Sequence, residues 1–210
     1  MVHDFHIRLE VMMENAGRAL AELAHHRFQP RSAVVLTGPG GNGGGGLVAA
    51  RHLSNRGLTV HIVLSRPAPD LAPVTALQLD MVQRIGLAIV DEPPPADLVI
   101  DALIGYSLRG DPMGRSGELI GWANSQPVPV LALDVPSGLD ATSGRAGVPC
   151  VRAAATLTLA LPKTGLARAL DLVGDLYLAD ISVPPVLYER MGIEVGPLFA
   201  DGPLVELRVS

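Results

Sequence analysis

The chain has 210 residues, 48% of them hydrophobic and 18% charged, which sets aside disorder and allows one substantial core in a single domain. A formal charge of −5 and an aromatic content of 3% argue against a nucleic-acid surface, whether it works by phosphate contacts or by base stacking. Cys150 is the lone cysteine, which excludes an internal disulfide, and no apolar run is long enough to span a bilayer as a helix.

The first residues, with Asp4 and His6, carry no secretory apolar stretch, so a cytoplasmic location without membrane partners is expected. Residues 7–28 place Leu9, Met12, Met13, Ala16, Leu20 and Leu23 at helical spacing, ending near Pro30. Residues 33–37 form a first strand. It runs into Gly38-Pro39-Gly40-Gly41-Asn42-Gly43-Gly44-Gly45-Gly46, seven glycines in nine positions, and then into a helical pattern over 47–55. Glycine accepts positive φ and has no Cβ, so a tight loop presenting its amides to a ligand is expected here. The helix behind it directs partial positive charge to the same place, which suits a phosphate.

A strand over 59–64, a helix over 72–85 and a short strand over 87–90 follow, then the loop Glu92-Pro93-Pro94-Pro95. A buried strand over 98–103, a helix over 117–125 and a strand over 128–133 come next, with two further strands at 154–160 and 175–179. Strands alternating with helices predict a mostly parallel, doubly wound α/β sheet. The tail from Pro184 either covers a sheet edge or joins an interface.

In an open parallel sheet, ligands sit outside the carboxyl ends of the strands. Three strands here end in polar, glycine-containing turns, at 38–46, 101–111 and 134–140, and right-handed crossovers deliver all three to one edge. Asn42, Asp101, Asp134 and Ser137 then converge as hard oxygen donors, fit for potassium, sodium or magnesium and poorly suited to zinc. Each residue taken alone is also an ordinary turn or helix cap. Lys163, in Leu161-Pro162-Lys163-Thr164-Gly165, follows a strand and either meets an anion or stays in water.

Gly38-x-Gly40-x-x-Gly43 matches the dinucleotide fingerprint between strand and helix. The second strand, however, ends in Ser65-Arg66 without the acid that would hold a ribose. Arg66 suits a 2′-phosphate, which leaves an NADP-dependent reductase as a lesser alternative. The P-loop lysine is missing, and Ser137 does not sit in a Gly-x-Ser-x-Gly elbow.

Five motifs in order carry a resemblance: Met13-Glu14-Asn15-Ala16-Gly17, the glycine run, Asp101-Ala102-Leu103-Ile104-Gly105, Asp134-Val135-Pro136-Ser137-Gly138-Leu139 and Leu161-Pro162-Lys163-Thr164-Gly165-Leu166. Together they resemble the YjeF N-terminal family, the NAD(P)H-hydrate epimerases, known also through the apolipoprotein A-I binding protein. The resemblance implies a three-layer α/β/α Rossmann-like domain with a mostly parallel sheet, often dimeric. It would occupy residues 1–210, with a helix in 1–30 and a tail over 185–210. It implies an isomerase of nicotinamide nucleotide repair, interconverting the R and S forms of hydrated NADH or NADPH at C6 of the ring.

A potassium ion would be held by Asn42, Asp101 and Ser137. The nucleotide would lie against Gly41, Asn42, Gly43, Gly44 and Gly45, against Gly105, Tyr106, Ser107, Leu108, Arg109, Gly110 and Asp111, and against Asp134, with Lys163 as a further contact. Asp134 is the candidate acid/base, because a carboxylate at a strand end is rigidly placed. The family loop reads Gly-Pro-Gly-Asn-Asn-Gly-Gly-Asp-Gly; here Gly41 replaces the first Asn and Gly45 the Asp. Those departures make a weakened epimerase, or a repurposed nucleotide-binding or interaction module, the alternative.

Overall fold

The computed structural model describes residues 1–208, the His3 side chain excepted. Helices α1 (Val2–Phe5) and α2 (Leu9–Phe28) lead into β1 (Ser32–Thr37), α3 (Gly41–Asn55), β2 (Thr59–Leu64), α4 (Pro73–Arg84) and β3 (Ala88–Ile89). Then follow β4 (Leu98–Ala102), α5 (Gly114–Ser125), β5 (Val130–Leu133) and β6 (Ala155–Leu159). The chain continues through α6 (Leu170–Val173), β7 (Asp175–Ala179), α7 (Pro185–Arg190) and β8 (Leu204–Leu207).

The eight strands form one sheet in the order β3-β2-β1-β4-β5-β6-β7-β8. All neighbours pair in parallel except β8, which runs antiparallel to β7. Successive side chains of a strand point to opposite faces. Ala33 and Val35 of β1 therefore pack into the layer that contains residues of α2, α3 and α4, while Val34 and Leu36 pack with Leu119, Ile120 and Ala123 of α5. A strand covered on both faces reads as an unbroken apolar run, which is what Ala33–Leu36 is. The fold is a three-layer α/β/α sandwich.

From β1 the chain winds outward through β2 to β3, then returns to the other side of β1 and winds through β4 to β7. The winding direction reverses between β1 and β4. At such a switch point the loops leaving two adjacent strands diverge and open a crevice at their carboxyl ends. The turn after Thr37 and the turn after Ala102 line it.

Two expectations are corrected in detail, and a third narrows to one of its alternatives. Helix α3 begins at Gly41, six residues before the predicted 47, and none of the glycines from 38 to 46 takes a positive φ. Their value is the missing Cβ. A Cβ on Gly43 would overlap the Gly38 carbonyl oxygen, and one on Gly46 would stand 2.5 Å from the Ala102 Cβ. Bare backbone lets the first turns of α3 lie directly on β1 and β4, and this packing offsets glycine's weak helix propensity of about 1 kcal/mol per residue. Helix α5 likewise starts at Gly114 rather than 117. Of the two alternatives for the tail, the described residues take the sheet edge: α7 turns the chain back and β8 covers the edge of β7.

Candidate active site

The turn from β1 to α3 is only Gly38, Pro39 and Gly40. Helix α3 then presents its free amides at the crevice, with Gly41 exposed, Asn42 half-buried and Gly43, Gly44 and Gly45 buried in the packing against the sheet. The Asn42 carboxamide faces the β4 loop: its Oδ1 is 3.2 Å from where a Gly105 Cβ would be. Its Nδ2 is buried and has no hydrogen-bond partner among the described residues.

Asp101 lies one residue from the end of β4, in register with Leu36 of β1 and Ala132 of β5, and is fully buried. The Ser137 amide donates to its Oδ2 at 2.8 Å, the Ser137 hydroxyl to its Oδ1 at 2.6 Å, and the Leu103 amide to Oδ1 at 3.2 Å. The Ile104 amide donates to Ser137 Oγ at 2.8 Å. Burial pushes the Asp101 carboxyl up to about 6, against the pull of the Ser137 and Leu103 donors. A carboxylate offers about four acceptor positions and three are filled. Asp101, Ser137 and Ile104 thus form one network, and Gly105, next in the chain, brings Asn42 to it.

A second polar group sits three residues before Ser137. Asp134 is 4% exposed and left-handed, with φ of 67°. Aspartate is among the few residues that tolerate this region, because its short polar side chain bonds locally. Its Oδ1 accepts the Leu159 amide at 3.3 Å and the Lys163 ammonium. Lys163 also donates to the Leu159 carbonyl at 2.8 Å and to Thr158 Oγ1 at 3.3 Å, so its three protons are all placed. Lys163 is the only lysine in the chain, beside fifteen arginines. Sequence reading offered it an anion or water; the structure supplies Asp134. Composition alone marks the position, because a chain that otherwise uses arginine throughout keeps a lysine here.

The loop over 105–111 leaves the crevice for solvent. Tyr106 is 71% exposed, Ser107 and Arg109 are exposed, and Leu108 is half-buried. Gly110 turns the chain at φ of 72°. Asp111 is exposed and accepts the Val148 amide at 3.1 Å. Arg109 makes no ion pair with Asp101 among the described residues; the Asp101 carboxylate is engaged by Ser137 and Leu103 instead.

The order of elements and this crevice can be set beside known proteins. The sequence pattern described as "YjeF-related protein N-terminus" matches residues 9–165, about three quarters of the chain. The chain belongs to this family. An NAD(P)H-hydrate epimerase of Dehalogenimonas lykanthroporepellens is 48% identical over 209 residues, covering 95% of this chain and 84% of that protein. A bifunctional NAD(P)H-hydrate repair enzyme Nnr of Hyperthermus butylicus is 43% identical over 197 residues, covering 89% of this chain but 36% of that longer protein. In fold, the chain is similar to the crystal structure of yeast ynu0, with a TM-score of 0.84 and 19% identity over 98% of this chain and 93% of that one. In this member of the family, the Asp101–Ser137 network, the Asp134–Lys163 pair and the start of α3 all stand at one edge of the sheet.

Proposed function

We propose that the chain epimerises the R and S forms of hydrated NADH or NADPH, as the relative from Dehalogenimonas is named to do. The observation that carries the reading is the buried Asp134 carboxylate with the single lysine seated on it, at the same sheet edge as an open helix N-terminus. The free amides of α3 would bind the pyrophosphate. The loop over 105–111 would lie over the nicotinamide half. Asp134 relays a proton between the Lys163 ammonium and the hydroxyl on C6, delivering it as the oxygen leaves and returning it as water adds to the other face. Lys163 holds the carboxylate in place and supplies that proton, which an arginine does not release.

The donor set around Asp101 supports a monovalent cation. It consists of Ser137 Oγ, the Ile104 carbonyl, the Asn42 amide and one free position on Asp101, all hard oxygens with a single formal charge. No group of three His, Cys, Asp or Glu suited to a more highly charged ion occurs among the described residues. Asn42, Asp101 and Ser137 would hold potassium, which when bound would supply positive potential for an anionic nucleotide. A homodimer is part of the reading: Leu9 and Val11 of α2, Leu77 and Met81 of α4, and Ile85 directly after α4 are exposed apolar side chains on one layer. A cytoplasmic location is part of the reading; no helix among the described residues is long and apolar enough to cross a membrane.

The test is incubation of the purified protein with separated R and S epimers of hydrated NADH, followed by chromatography. Convergence of both samples on one ratio supports the reading. Unchanged ratios at high protein concentration refute it in favour of a binding module.

A further inference from the structure

Three residues other than glycine at the carboxyl edge take the left-handed conformation: Asp134, Ala160 and Ser182, with φ of 67°, 65° and 69°. They follow the neighbouring strands β5, β6 and β7. Such residues persist only where the surroundings hold them. Asp134 and Ser182 have polar side chains for the purpose, and the Ser182 hydroxyl accepts from Asn15 Nδ2 at 2.5 Å. Ala160 has none.

Ala160 is held through its backbone. Its amide donates to the Ala179 carbonyl at 3.2 Å, and its carbonyl accepts the Tyr188 hydroxyl at 3.2 Å. Tyr188 sits on α7, is 9% exposed and lies beyond residues 9–165 that match the family. Directly after Ala160, the Leu161 amide donates back to the Leu159 carbonyl at 2.7 Å. The chain thereby reverses, and two residues later the Lys163 ammonium reaches Asp134, the Leu159 carbonyl and Thr158.

The geometry points to Tyr188 as a positioning residue for the Asp134–Lys163 pair. Its hydroxyl fixes the plane of the Ala160 carbonyl, which keeps the left-handed turn. The turn sets where the Lys163 side chain departs. An unheld alanine returns to the right-handed or extended regions that L-residues favour, and the lysine then loses its three-acceptor seat. The C-terminal tail therefore does more than cover the edge of β7: it aligns the proton-exchanging pair from outside the crevice.

The kinetic consequence rests on the epimerase reading; the structural one does not. Tyr188→Phe removes the hydroxyl and keeps the ring in its packing. Because Lys163 is the only lysine, its ammonium gives a single side-chain signal in a ¹H–¹⁵N spectrum of the full-length protein. That signal is expected to exchange slowly with water in the parent and to broaden in Tyr188→Phe. For a lost neutral hydrogen bond, kcat is expected to fall about 3- to 10-fold, with KM unchanged and the thermal midpoint within a few degrees. On a Lys163→Met background, Tyr188→Phe should cause no further loss. An unaltered lysine signal in Tyr188→Phe overturns the inference whatever the assay gives, as do losses that multiply in the double variant. A parent protein that does not epimerise defeats the epimerase reading alone, and the lysine signal still decides the role of Tyr188.

Discussion

Ser137 grips both oxygens of Asp101, its amide on Oδ2 at 2.8 Å and its hydroxyl on Oδ1 at 2.6 Å, tying the turn after β5 to the end of β4. The carboxyl is pushed up to about 6 from an ordinary value of 3.8 by burial. A folded-state value above the unfolded one means that Asp101 contributes stability below pH 3.8, and that this contribution is lost as the pH rises through about 6. In potassium-free buffer, the unfolding free energy of the parent relative to Asp101→Asn should fall by about 1–3 kcal/mol between pH 4 and pH 7. Urea titrations at several pH values check this. A constant difference across the range would mean that the carboxyl does not titrate in the folded protein.

The Asp134–Lys163 pair should be intolerant of change in either partner. Asparagine accepts the left-handed backbone of Asp134, so Asp134→Asn should fold while turnover falls about 100-fold or more. Lys163→Arg keeps the charge but fits a planar fork into a seat of three converging acceptors and removes a releasable proton. Turnover should drop about as far, in contrast to what a purely electrostatic contact would give. Full activity in Lys163→Arg would reduce Lys163 to a counter-ion.

Soaking crystals in rubidium or thallium should give an anomalous peak bounded by Asn42, Ser137 and the Ile104 carbonyl, beside the free position on Asp101. In solution, potassium should raise the thermal midpoint of the parent and leave that of Asp101→Asn unmoved. A midpoint indifferent to potassium in both proteins would make the Asp101 network structural.

The glycine run separates into positions with and without room. Gly43→Ala would drive a Cβ into the Gly38 carbonyl, a backbone atom that cannot rotate away, and should destabilise by about 2 kcal/mol or more. Gly41 has nothing within 4 Å of a Cβ, so Gly41→Asn should change stability by no more than about 0.5 kcal/mol. Gly45 is helical, so backbone strain is no obstacle to an aspartate there; the obstacle is Leu133 Cδ2, 2.7 Å from the new Cβ. Gly45→Asp is therefore expected to lose about 1–3 kcal/mol through overpacking. If the two glycines have weakened an epimerase, the folded Gly41→Asn or Gly45→Asp variants should turn over faster than the parent. A stable double variant with no gain in rate or affinity would favour repurposing for another ligand.

Local chemistry made much of this molecule legible. Strand β2 and strand β7 fall where alternation and flanking turn residues placed them, because strand and turn propensities act over a few residues. Asp101, Asp134 and Ser137 could be assigned to one edge because right-handed crossovers leave parallel strands no other arrangement. Even the oxygen character of the site followed from residue type.

Tertiary structure decided what depends on distant partners. Helix α3 could start at Gly41 only because the glycines press against Gly38 and Ala102, contacts that no propensity encodes. Lys163 finds Asp134 across 29 residues, and nothing near either residue names the other. Ala160 is left-handed against its own preference, held by a tyrosine 28 residues further on. The sequence by itself determined which chemistry reaches the edge of the sheet. Which groups touch there was set by packing, since hydrogen bonds form at fixed distances in space and are blind to separation along the chain.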